Sequence, residues 1–221
     1  MDNIIIKSSG ILLHIGCGLT APKYWLNIDT SLTLKISKIP ILGNQLITLI
    51  RAPKWPKNIY HGDIVKGLKI DHNQCDIIYA SHVLEHLSLS DFNIAMSNIY
   101  SYLKPGGIFR AVVPDLEQHI AIYIKQRSDS TLSENAAHHF METSWLGHKG
   151  KRSSVYDRLQ EAFSNSRHQW MWDEASFKNA FAQHGFKNIR KCNYGDWSDE
   201  RFSDVESEDR LSNAICIEGT K

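Results

Sequence analysis

The sequence predicts an α/β protein organised around an open, mostly parallel β-sheet. Three observations carry that expectation. The first 115 residues alternate short apolar runs with Gly, Asp and Ser turn signals. A helix-period segment separates the fourth run from the fifth, which implies a right-handed parallel crossover. Two further apolar runs flank an acidic stretch near the end of the chain, as an antiparallel pair would.

Residues 11–15 form the first strand candidate, ended by Gly16-Cys17-Gly18, and residues 25–28 the second, ended by Asp29. Residues 58–61 are the third, ended by Gly62-Asp63, and residues 76–80 the fourth, ended by Ser81-His82. The fifth, residues 108–113, lies between Pro105-Gly106-Gly107 and Pro114-Asp115. These runs barely alternate, as expected of strands covered on both faces. Phe92, Ala95, Met96, Ile99 and Leu103 recur at helical spacing and predict a helix over 90–103, capped by Ser88 or Ser90. Residues 115–127 read as a further helix. Residues 128–167, rich in Ser and His, read as one or two helices and a loop. Residues 173–184 predict a helix with Asp173 as N-cap and Gly185 as its stop. Residues 186–193 and 213–218 are the closing strands. Between them, residues 196–209 carry seven acids and one base, Arg201, and read as a solvated loop.

The chain has 221 residues, with 25 Lys and Arg against 24 Asp and Glu, a net charge of +1, and 42% apolar residues. That suits a single domain over 1–221. It is too apolar for disorder and too evenly charged for a dedicated nucleic-acid binder. The start of the chain has an early acid, Asp2, and a very short apolar run, unlike a signal peptide. The best apolar stretch, residues 32–50, is interrupted by Lys35 and Lys38, so no membrane span is expected. Cys17, Cys75, Cys192 and Cys216 are scattered with no C-x-x-C pair, which fits reduced thiols and a cytoplasmic location.

Ligands of open α/β sheets bind outside the carboxyl ends of the strands. The groups placed there are Gly16-Cys17-Gly18, Asp29, Asp63, Ser81-His82 and Pro114-Asp115. A G-x-G turn lets backbone approach a ligand because no Cβ intervenes. A carboxylate after the second strand can accept from both hydroxyls of a ribose, and one after the third can take the exocyclic amine of an adenine. The set describes an adenosine site without a phosphate cradle, since no G-x-x-x-x-G-K-[ST] occurs.

The ordered motifs Leu12-Leu13-His14-Ile15-Gly16-Cys17-Gly18, Asn27-Ile28-Asp29, Gly62-Asp63-Ile64, Ser81-His82-Val83-Leu84-Glu85-His86 and Leu103-Lys104-Pro105-Gly106-Gly107 resemble those of class I S-adenosylmethionine-dependent methyltransferases. The likeness is greatest to a small bacterial branch associated with cell-surface glycan synthesis, where a segment like His168-Gln169-Trp170-Met171-Trp172-Asp173 precedes the late helix. The resemblance implies a Rossmann-like sheet of seven strands, mostly parallel, with helices on both faces, an antiparallel C-terminal strand and a helical cap. It implies S-adenosylmethionine as cofactor, with Gly16, Cys17 and Gly18 under its methionine end, Asp29 on the ribose, Asp63 and Ile64 on the adenine, and Ser81 and His82 facing the sulfonium. His14 stands where the family usually has an acid, and only residues 19–25 connect the glycines to the second strand. These two departures motivate an alternative, a catalytically silent methyltransferase-like interaction module.

The acceptor expected from the resemblance is a small molecule or glycan, methylated on oxygen or nitrogen. His86 and His168 are the candidate catalytic bases. Glu85 reads as a loop-holding group, and Asp115 as a helix N-cap. Residues 128–172 read as the acceptor-side cap, where Trp170 and Trp172 either face substrate or pack beneath it. The spacing of His138, His139, His148 and His168 matches no common metal site, and no metal is expected. Residues 30–57 hold five bases, Lys35, Lys38, Arg51, Lys54 and Lys57, and no acid among many apolar residues. They read as an insertion covering the sheet edge or a dimer contact, with a peripheral membrane contact as the alternative. Monomer and homodimer both stay open.

Overall fold

A computed structural model describes residues 10–147 and 167–221. Seven strands form one sheet: β1 (Ile11–Ile15), β2 (Leu26–Asp29), β3 (Ile59–His61), β4 (Cys75–Ser81), β5 (Leu103–Pro114), β6 (Lys187–Cys192) and β7 (Ala214–Thr220). Their order is β3-β2-β1-β4-β5-β7-β6. The first five are parallel, and β7 runs antiparallel between β5 and β6. The strand order reverses between β1 and β4, so a crevice opens at the carboxyl ends of those two strands.

One sheet face is covered by α3 (Leu89–Tyr102) and α6 (Glu174–Gln183). Phe92, Ala95, Met96 and Ile99 of α3 meet Leu13, Ile78, Phe109 and Ala111 of the strands, beside Phe177 and Phe181 of α6. The helix ends follow the sequence signals. Ser88 caps α3 through Asp91 N, and Asp173 and Ser176 form a reciprocal capping box on α6. Asp115 caps α4 (Leu116–Ser128) by accepting from Glu117 N and Gln118 N, as expected. Helix α4 packs on α5 (Ala136–Thr143) through His119, Tyr123 and Phe140. Trp172 is core, in contact with Phe92 and Phe177, whereas Trp170 is 41% exposed. The part of the expected cap spanning 148–166, including His148, lies outside the described residues.

The stretch 196–209 is solvated along most of its acids, as its charge suggested, but Phe202, Val205 and Glu206 are buried. Its short 3-10 turns, Glu200–Asp204 and Glu208–Leu211, press Phe202 and Val205 onto Trp25, Ile77, Tyr79 and Val112 of the other sheet face. Glu206 is held by a buried partner. Arg110 of β5, completely buried, donates from Nε and Nη2 to the two oxygens of Glu206 at 2.7 and 2.9 Å. Its Nη1 donates to Glu218 Oε1 of β7 at 2.7 Å, and two backbone carbonyls, Asp196 O and Asn193 O, take further hydrogens. Desolvation alone would favour losing the proton, but the two carboxylates outweigh it and hold the guanidinium charged.

The insertion between β2 and β3 forms two short helices, α1 (Leu32–Ser37) and α2 (Gly43–Leu49). Leu34 is buried against Cys17 and Ile59, and Ile47 is also buried. Ile41 and Leu49 are 92% and 78% exposed. Among the described residues no helix is long and apolar enough to cross a membrane.

Replacing Arg110 with Met leaves the buried Glu206 without a cation and Glu218 with Arg190 alone. We expect a loss of about 3–5 kcal/mol in urea unfolding, the usual cost of removing one partner from a buried ion pair. A loss below about 1 kcal/mol would show that the cluster does not secure the C-terminal segment.

Candidate active site

The carboxyl ends of five strands lie in one row, because the pairing registers align Asp29 with His61, Ile15 with Ile28 and Ala80, and Ser81 with Val112. The row begins at Asp63, whose Oδ1 accepts from Val65 N at 2.9 Å. Ile64 turns into the core, and its carbonyl accepts from Asn98 at 2.7 Å. Asp29 is next and nearly enclosed. Its Oδ2 accepts from Gly18 N at 3.0 Å and its Oδ1 from Ser31 N at 2.8 Å.

The glycine turn needs its glycines. Gly16 has φ +62°, and a Cβ there would fall 2.2 Å from Val83 Cγ2 in the loop after β4. Gly18 has φ +54° with open space where its Cβ would stand. Cys17 between them is buried, and its amide donates to Ile28 O at 3.1 Å. His14 stands one residue before the end of β1, buried between Trp25 and Tyr79. Burial pushes its pKa down to about 4, so it is a neutral packing group under the turn rather than a charged one.

On the other side of the switch point, β4 ends at Ser81 and His82. Arg210, from the acidic segment, donates to Ser81 Oγ at 2.9 Å and to Ser81 O at 2.7 Å. The Arg210 carbonyl lies 2.8 Å from His82 Nε2, and His82 has φ +53°, a conformation rare for a side-chain-bearing residue. The next turn, Leu84–His86, carries Glu85, which is fully buried. Glu85 Oε1 lies 3.3 Å from His82 Nδ1, 3.9 Å from His86 Nε2 and 3.8 Å from His168 Nε2. The 167–170 segment is strapped over this turn: Gln169 N and Trp170 N donate to Glu85 O, and His86 Nδ1 contacts Arg167 O at 3.0 Å. His168 stacks on Trp145, and burial holds its pKa below the ordinary imidazole value.

These groups line a cavity of about 440 Å³, together with Pro114, His119, Thr143, Arg210, Ser212 and Asn213. The fold thus brings His82, His86 and His168 into one cavity, whose lining does not include Gly16, Gly18, Asp29 or Asp63. Sequence reading missed Arg210 and His119, which no local motif marks. His86 and His168, both candidate bases, do come together, and they meet at Glu85, which the sequence marks only as a loop-holding group.

The sequence profile of a family described as a methyltransferase domain matches residues 6–191. No curated protein matches the chain. Among solved structures, a SAM-dependent methyltransferase from Archaeoglobus fulgidus is similar at 14% identity, over 97% of this chain and 87% of that one, with a TM-score of 0.49. The YcgJ protein from Bacillus subtilis is similar at 15% identity, over 97% and 93% of the two chains, with a TM-score of 0.46. Phosphoethanolamine N-methyltransferase 2 from Haemonchus contortus, in complex with S-adenosyl-L-methionine, is similar at 14% identity, over 98% and 49%, with a TM-score of 0.47.

The position of His14 sets an acid limit on stability. Its folded pKa of about 4 lies below the unfolded 6.5, so the unfolded chain takes the proton first. Its contribution is fully present above pH 6.5 and is lost as pH falls toward 4, by an amount on the order of 3 kcal/mol. In His14→Phe we expect a flatter stability profile between those pH values, read by denaturant unfolding at each pH. An unchanged slope would place the acid-sensitive group elsewhere.

Proposed function

The chain belongs to the methyltransferase-domain family of S-adenosylmethionine-dependent enzymes, and from that premise we propose that it methylates a hydroxyl or amine of a small-molecule or cell-surface glycan acceptor held in the histidine-lined cavity. The observation that carries this reading is the meeting, at His82, of the strand-end row with the 440 Å³ cavity. The donor belongs over the row and the acceptor in the cavity.

The residues of the row fit an adenosine. Asp29 spends one lone pair per oxygen on backbone amides and keeps others for ribose hydroxyls. Open space over Gly18 lets backbone approach the ligand. Asp63 and the Ile64 backbone stand where the adenine would end the row. When bound, S-adenosylmethionine supplies an electrophilic methyl with a good leaving group. The chain's own task is then mainly alignment of the acceptor atom in line with that methyl. Burial keeps His168 unprotonated at neutral pH, so His168 or its neighbour His86 can accept the proton of a hydroxyl acceptor.

The insertion supports work at a membrane surface on the cytoplasmic side. Ile41 and Leu49 project into solvent from a segment that also carries Lys35, Lys38, Arg51, Lys54 and Lys57, which suits an anionic bilayer and a lipid-linked saccharide.

Calorimetric titration with S-adenosylhomocysteine should give micromolar binding, weakened ten- to a hundredfold in Asp29→Ala, the scale of an unpaired buried polar partner. No binding at millimolar ligand would overturn the reading and leave the silent interaction module. In sedimentation with vesicles containing anionic lipid, the protein should pellet at low salt and less so in Ile41→Asp. Equal pelleting with neutral vesicles, or none at all, would remove the membrane contact.

A further inference from the structure

We propose that Glu85, His86 and His168 form a binding site for a divalent transition-type cation such as Zn²⁺ or Mn²⁺, opening into the acceptor cavity with His82 at its rim.

The three residues offer one ligand atom each, all within 4.8 Å of one another. Two imidazoles and one carboxylate are a donor set that suits Zn²⁺ and its first-row neighbours. Metal–ligand bonds of about 2.1 Å at a tetrahedral angle place ligand atoms about 3.4 Å apart. Glu85 Oε1 already lies 3.8 Å from His168 Nε2 and 3.9 Å from His86 Nε2. Those two separations need a contraction of about 0.5 Å, and the two imidazole nitrogens, within 4.8 Å of each other, close by up to about 1.4 Å through side-chain rotation.

The hydrogen-bond polarity points the same way. A carbonyl oxygen only accepts, so Arg167 O fixes the hydrogen of His86 on Nδ1. The neutral ring then turns the Nε2 lone pair toward Glu85. Arg210 O likewise fixes the hydrogen of His82 on Nε2, which leaves the Nδ1 lone pair 3.3 Å from the same carboxylate oxygen. Neither oxygen of the buried Glu85 carboxylate accepts a hydrogen bond from the described residues. The lone pairs of His82 and His86 therefore converge on a buried anion that receives no hydrogen bond, an arrangement that is costly unless a positive charge enters. The His86–carbonyl contact is also the outer-shell bond that typically orients a metal-bound imidazole.

The site lies outside the row expected to take the donor. Its open side faces the cavity, so an ion there would take an acceptor oxygen as a further ligand and ease loss of its proton. That role, which rests on the methyl transfer proposed above, favours a hydroxyl acceptor over an amine. It recasts His86 and His168 as ligands that act on the acceptor through the ion.

The full chain, stripped with chelator and dialysed, is titrated calorimetrically with ZnCl₂ and separately with MnCl₂. Cobalt(II) absorption reports the ligand geometry. One ion per chain is expected at micromolar affinity or tighter. Tenfold or greater weakening is expected in His168→Ala, His86→Gln and Glu85→Gln, and no change in His138→Ala. Far-UV circular dichroism checks that each variant is folded. A folded wild-type chain that binds no ion at millimolar concentration overturns the proposal, as does binding indifferent to all three ligand variants. Titration of the wild type with S-adenosylhomocysteine separates the two readings: ion binding without it removes the methyl-transfer role alone, and its binding without an ion removes the cation site alone.

Discussion

A single guanidinium inside the sheet governs how the second half of this chain is arranged. Arg110 has no water to solvate it, so Glu206, Glu218 and two backbone carbonyls must. Meeting that requirement draws residues 193–213 across the sheet face and sets β7 beside β5. With that segment in place, Phe202 and Val205 close the second core, and Arg210 reaches Ser81 and His82 at the switch point. The shape of the cavity therefore depends on a charge that lies in another layer of the molecule.

The two sides of the site are held by different means. Along the strand-end row, the link from β1 to β2 is too short for a full helix, and Asp29 braces the turn by accepting from Gly18. Backbone geometry and one carboxylate replace the missing helix N-terminus. Around the histidine-lined cavity, the framework is side chains. The Glu85 turn is gripped by the 167–170 strap through its carbonyl, while its carboxylate collects histidines from two distant parts of the chain. The first arrangement is rigid because it is local, and the second because it is buried.

That division also explains what could be read from the sequence. The strands, the Asp173 cap of α6 and the Asp115 cap were legible because each rests on neighbours within a few residues. So was the row of groups at the strand ends, which follows once the strands are parallel. The acidic stretch misled in part because its charges outnumber the apolar pair Phe202 and Val205, and nothing nearby in the chain reveals that Arg110 awaits Glu206. His86 and His168 stood out as candidate bases, but their meeting at the buried Glu85 carboxylate was hidden for the same reason, since His168 lies far along the chain from Glu85. Trp170 and Trp172 shared one pattern yet separated, because only Trp172 faces Phe92 and Phe177.

The distance along the chain between Arg110 and its partners has a consequence for biosynthesis. Glu206 follows it by 96 positions and Glu218 by 108. At the usual pace of translation, that interval lasts about 5–20 s. Throughout it β5 is an unpaired sheet edge with an arginine that has no carboxylate to receive it. The emerging N-terminal portion must stay hydrated along that edge, and the last strands complete it by sliding in as β7 and then β6. The nascent chain is therefore most exposed to wrong pairing late in synthesis, when a molecular chaperone that shields strand edges would matter most.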